Sequence, residues 1–152
     1  MYVLDTSTMS ELSFSRPNPH VISWLASTPS HSLAIPVSAI IEFKRGIEML
    51  RARDAQKAES LSIWLSNLLR CGIPVLPVDP DVAMLFATMS RTPQLRSMLH
   101  LDSGRSERAP GQDLMIAATA IAYNATIVTQ NVKDFERIAA YHPISGILAF
   151  PS

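Results

Sequence analysis

Along this chain, short apolar runs alternate with longer stretches in which apolar residues return every third or fourth position. The short runs predict strands at residues 2–4 (Tyr2, Val3, Leu4), 33–37, 74–78, at Ile127 and Val128, and at 144–150. The longer stretches predict helices. One begins after Asp5, through Met9 and Leu12; another carries Val21, Ile22, Trp24 and Leu25. Residues 38–70 read as a helical hairpin broken around 52–55, with Ile47, Leu50, Leu61, Trp64, Leu65, Leu68 and Leu69 forming the facing stripes. Gly72 ends that hairpin, and Asp79-Pro80 opens the next helix as N-cap and first helical residue. From Leu114 to Ala122 there is almost no polar face, so this helix is buried. Strands alternating with helices predict an α/β fold: a central, mostly parallel, twisted sheet of about five short strands flanked by helices.

Composition narrows the picture. A length of 152 residues suits a single domain over 1–152, and 47% apolar with 17% charged residues excludes a disordered chain. No apolar run approaches the roughly twenty residues of a membrane span, and the first residues read as a strand rather than a secretory leader, so a cytoplasmic location without membrane association is expected. Thirteen basic residues balance thirteen acidic ones, which gives no broad nucleic-acid patch; such a partner must be held locally. The lone cysteine, Cys71, reads as inert core beside Leu68 and Leu69. Around 91–110 the character changes, with Arg91, Arg96, His100, Arg105 and Arg108 among Ser, Gly and Pro and only Asp102 and Glu107 as acids. This is a flexible or partly helical insertion, read either as a solvated loop or as a path that steers a phosphate chain.

The candidate chemistry lies in the acids. Asp5 follows the first strand, at the edge where open α/β sheets collect their ligands; the competing reading is a helix cap. Glu42 lies on an apolar turn between Ile41 and Phe43. Ser38 reads as the N-cap of that helix, but a capping box would need its acid at position 41, so Glu42 is not explained that way. Gly46, on the same helix face, suggests a close backbone approach. Asp113 opens the buried helix, as a cap or as a member of an acidic cluster, and Asp134 follows the strand at Ile127 and Val128. Under the predicted topology these four acids converge, and such a cluster calls for a hard divalent ion, Mg²⁺ or Mn²⁺. Sparse His and Cys argue against zinc. No phosphate loop, nucleophile elbow or dinucleotide fingerprint is present among the five glycines.

Four pieces in this order resemble the PIN-domain proteins of the bacterial VapC/FitB type, the toxin halves of type II toxin-antitoxin pairs. They are Val3-Leu4-Asp5-Thr6-Ser7, Glu42 followed by Gly46, Asp113 at the head of an Ala-rich helix, and Thr129-Gln130-Asn131-Val132-Lys133-Asp134-Phe135. The resemblance spans essentially the whole chain. It implies a PIN-like fold and a metal-dependent ribonuclease in which Asp5, Glu42 and Asp113 hold the ion and Asp134 is the fourth, more variable acid. Thr6, Ser7 or Thr129 would orient a metal-bound water. Asn131 stands where some relatives have Asp, Gln130 replaces the more usual Arg or Asn, and the 91–110 insertion is longer than usual.

On this reading the chain hydrolyses RNA phosphodiesters endonucleolytically, leaving 5′-phosphate and 3′-hydroxyl ends, with Lys44 and Arg45 as candidate phosphate contacts or simply solvated helix charges. Family likeness implies a homodimer and an antitoxin with a ribbon-helix-helix DNA-binding domain. The helical hairpin beside the sheet would also make a groove for a partner's helix. A different class of function is a weakly active or inactive PIN module that mainly binds its antitoxin in a DNA-binding repressor complex. A phosphatase of the haloacid-dehalogenase type is disfavoured, because its second Asp would fall at Ser7.

Overall fold

The computed structural model describes residues 1–99 and 112–152; His100, Asp102, Arg105, Glu107 and Arg108 of the expected insertion lie outside the described residues. Five short strands, β1 (Tyr2–Leu4), β2 (Leu33–Pro36), β3 (Val75–Leu76), β4 (Thr126–Val128) and β5 (Gly146–Leu148), form one sheet in the order β3-β2-β1-β4-β5. Every pairing is parallel, so the predicted mostly parallel sheet is parallel throughout. Parallel strands need crossover connections, and these lay helices over the sheet. Hence Val3, Leu4, Leu33, Ala34, Ile35, Ile127 and Val128 are all buried.

The helices are α1 (Thr6–Leu12), α2 (Pro19–Ser27), α3 (Val37–Arg51), α4 (Ala55–Arg70), α5 (Pro80–Ser90), α6 (Gln112–Ala122) and α7 (Val132–Ala139). The hairpin predicted over 38–70 is α3 and α4, broken within 52–54, and Phe43 meets Trp64 across it with ring centroids 5.3 Å apart. Helix α6 packs against α3, α5 and α7, with Leu114 and residues 116–120 buried. Asp79 caps α5 as expected, accepting from the Val82 N–H at 3.0 Å, with Pro80 at the first helical position. No helix among the described residues is long and apolar enough to cross a membrane.

Several local expectations change. Helix α3 begins one turn position earlier than Ser38: Pro36 ends β2 and is itself the N-cap, its fixed φ of −73° leading directly into the helix, while Ser38 is buried inside the first turn. The strand expected over 74–78 contracts to Val75–Leu76, because it is an edge strand flanked by Pro74 and Pro77, which donate no ladder hydrogen bond. Cys71 is exposed rather than core. It sits beyond the last turn of α4, whose buried residues are Ala58 and Leu65, and its thiol donates to the Leu68 carbonyl at 2.8 Å. Gly46 serves no close approach among the described residues: a Cβ there would meet nothing of them within 4 Å. In the insertion, Pro93–Met98 is a 3₁₀ turn with Leu95 fully buried, so this part is folded against the core.

Candidate active site

The strand order reverses direction between β1 and β4, and in open parallel sheets the crevice at the carboxyl ends of such strands is where ligands bind. Asp5 follows β1 directly and Thr129 follows β4 directly; Leu4 and Val128 are register partners, and the Asp5 N–H donates to the Val128 carbonyl at 3.0 Å. The two side chains therefore leave the sheet side by side. Thr129 donates its hydroxyl to Asp5 Oδ2 at 2.7 Å, and Ser7 donates to the same oxygen at 2.7 Å. The other oxygen, Oδ1, accepts from the Thr6 N–H at 2.6 Å. Asp5 is thus both the N-cap of α1 and a carboxylate held by three donors, at 2% exposure. The cap reading and the acidic-cluster reading are both met by one side chain.

Glu42 enters from the second turn of α3. Phe43 and Ile47 are buried on that helix, which leaves Glu42 half-buried on the adjoining face, where its Oε2 accepts from the Thr6 hydroxyl at 2.8 Å. Across the crevice, the Asn131 N–H donates to Thr129 Oγ1 at 2.8 Å. The Asn131 carboxamide then reaches two acids, Asp134 Oδ2 at 2.6 Å and Asp113 Oδ2 at 3.5 Å. Asp113 lies in the first turn of α6 and Asp134 in the first turn of α7, both half-buried. One hydrogen-bonded chain therefore runs from Glu42 through Thr6 and Asp5 to Thr129 and Asn131, and from there to Asp113 and Asp134.

The acids gather at one edge. Among the described residues no three His, Cys, Asp or Glu side chains stand close enough together to hold one metal ion between them. Like charges repel at short range, and here the Thr6 and Thr129 hydroxyls and the Asn131 amide each donate to one or more of the acids. The hydroxyls of Thr6, Ser7 and Thr129 each donate to an acid. The linking role of Thr6 toward Glu42 was not readable from the sequence, since the two residues lie on different elements. The acids offer only oxygen, the ligand atom a hard cation such as Mg²⁺ takes, and acids that do not form a group of three around one point suit an ion that keeps several of its own waters.

Lys44 and Arg45 stand apart from this chain of contacts. Both are exposed on α3, and Lys44 pairs with Glu48, one turn on. That contact, followed by one from Arg51, holds the Glu48 carboxyl below its ordinary value. An exposed pair of this kind contributes little to stability.

Known proteins place this architecture. Ribonuclease VapC2 of Rickettsia felis is 23% identical over 138 residues, covering 91% of this chain and 92% of its own. The structure of VapBC2 from Rickettsia felis bound to a DNA fragment from its promoter superposes with a TM-score of 0.70 at 18% identity, covering 99% of this chain and 98% of the other. VapBC-5 of Mycobacterium tuberculosis, a member of the VapBC family of toxin-antitoxin systems, gives a TM-score of 0.58 at 28% identity, with 97% of each chain covered. The PIN domain family model matches residues 2–141, from the first strand to just beyond α7 and through every side chain of the acidic edge. With nearly its whole length accounted for in this way, the chain belongs to the PIN domain family.

Proposed function

We propose that this protein is a divalent-metal-dependent endoribonuclease, the toxin of a toxin-antitoxin pair, cutting RNA phosphodiesters by water to leave 5′-phosphate and 3′-hydroxyl ends. The observation that carries this reading is the hydrogen-bonded chain joining Glu42, Asp5, Asp113 and Asp134 at the switch point of the sheet. Asp5, Glu42 and Asp113 are the residues that would hold Mg²⁺ or Mn²⁺, with Asp134 as the fourth acid. Bound there, the ion would supply Lewis acidity toward the attacking water and the phosphate.

The chain's own residues do the rest. Ser7 and Thr129 fix the rotamer of Asp5, and Thr6 does the same for Glu42, so the acids are oriented before substrate arrives. Burial of Asp5 behind β1 keeps bulk water from screening it. RNA would approach at the exposed rim, where Lys44 and Arg45 are the basic residues next in sequence to Glu42. The relatives named VapC as ribonucleases, and those solved as VapBC complexes with promoter DNA, support an RNA substrate and an antitoxin partner with a DNA-binding domain. A homodimer and a cytoplasmic location belong to the same proposal.

The test is RNA cleavage by purified protein with Mg²⁺, with the ends sequenced. Asp113→Asn and Glu42→Gln should each lower the rate by on the order of 100-fold or more, beyond the loss usual for a residue that merely supports a ligand. Full activity in either variant would remove the assignment. No cleavage by the wild type with any divalent ion, and no growth arrest on expression, would instead favour the antitoxin-binding module.

A further inference from the structure

We infer that Asp134 is a positioning residue rather than a ligand of the cation, acting through the Asn131 carboxamide on Asp113. The inference rests on the metal-dependent reading above and deepens it.

Asn131 occupies the N-cap of α7, where its side-chain oxygen would ordinarily accept a backbone N–H of the first turn. It makes no such bond. Asp134 stands three residues on, where a capping-box acid would reach back to the N-cap N–H. That N–H goes to Thr129 Oγ1 at 2.8 Å instead, and Asp134 takes the side-chain amide at 2.6 Å. Both residues thus forgo the usual work of a helix start, and their pairing needs another account.

The partners of the amide supply one. Ionised carboxylates only accept, so a carboxamide lying between two of them must turn its nitrogen, not its oxygen, toward both. The short bond to Asp134 is charge-assisted and fixes that orientation. The same nitrogen is then aimed at Asp113 Oδ2, 3.5 Å away, at the outer limit of a hydrogen bond. Asp134 holds Asn131, and Asn131 steers Asp113. This is the relation of an outer partner to a ligand, which tunes metal affinity without touching the metal. The Thr129 bond to the Asn131 backbone anchors the arrangement to Asp5 on the far side of the crevice.

The experiment is a Mn²⁺ titration of the purified chain, read by the electron paramagnetic resonance of free Mn²⁺, with melting in metal-free buffer reporting that each variant folds. Asp113→Asn, with Glu42→Gln as a second ligand reference, should weaken Mn²⁺ binding by about 100-fold or more. Asp134→Asn can still accept from the amide, and should stay within about twofold of the wild type. Asp134→Ala and Asn131→Ala should each lose about tenfold, and the double variant should lose no more than either alone, because the two act in series. Asp134→Asn falling as far as Asp113→Asn, or losses that multiply in the double variant, would overturn the inference while leaving the metal-dependent reading intact. A wild type that takes up no Mn²⁺ would remove both.

Discussion

Thr6 illustrates how much one hydroxyl arranges at this edge. Its N–H caps onto Asp5 and its hydroxyl bonds to Glu42, so a single residue sets the geometry of two acids separated by most of the first two strands and helices. Replacing it separates the two tasks. Thr6→Val keeps the backbone donor and the side-chain volume but leaves Glu42 without this donor. We expect kcat to fall by about 10- to 100-fold, the range for supporting partners of metal ligands, with the melting temperature nearly unchanged. Thr6→Ser should restore most of the rate. Steady-state cleavage of one RNA by the three proteins, with a melt of each, checks this.

The elements that carry the site are short, and their placement depends on close packing. Strand β5 is the outer neighbour of β4, and Gly146 pairs with Thr126 in register. A Cβ at Gly146 would lie 2.9 Å from Thr126 Oγ1 and 3.2 Å from its Cγ2. Thr126 is a β-branched side chain in a paired strand, so it has few rotamers in which to give way. Gly146→Ala should therefore cost about 1–3 kcal/mol by overpacking. In a Thr126→Ala background much of that penalty should vanish, and denaturant unfolding of the four proteins in the cycle measures the coupling. Since β4 delivers Thr129 to Asp5, the single variant should also lose cleavage at temperatures where it is still folded.

Across the molecule, helices α5 and α6 pack together and are joined by a hydrogen bond from the Tyr123 hydroxyl to Asp79 Oδ2 at 2.8 Å. The Val82 N–H first, then Tyr123, holds the Asp79 carboxyl below its ordinary value. The bond to Asp79 in turn raises the Tyr123 phenol. Asp79 thus contributes stability above the carboxylate value of the unfolded chain, lost as the pH falls through its lowered folded value. Tyr123 contributes below the phenol value of the unfolded chain, and that is lost as the pH rises through its raised folded value. The clasp works across the whole neutral range. Tyr123→Phe should lower the melting temperature modestly at neutral pH and move the acid limb of the stability profile upward in pH. Its alkaline limb should lose the Tyr123 contribution. Melting curves at acid, neutral and alkaline pH follow all three effects.

Periodicity was enough to reveal the alternation of strands and helices, the hairpin of α3 and α4, the buried α6 and the cap at Asp79, because each depends on neighbours within a turn or two. The order of motifs along the chain likewise marked Asp5, Glu42, Asp113 and Asp134 as the acids of interest. Local signals misled where a tertiary neighbour, or the want of one, set the outcome. Ser38 looked like a cap until Pro36 took the helix start, Cys71 looked like core until α4 ended short of it, and Gly46 faces open space. What the hydroxyls and the Asn131 amide bond to could not be read in one dimension. A hydrogen bond such as Thr6 to Glu42, or Thr129 to Asp5, is chosen by which strand ends lie side by side, and only the folded sheet brings those ends together.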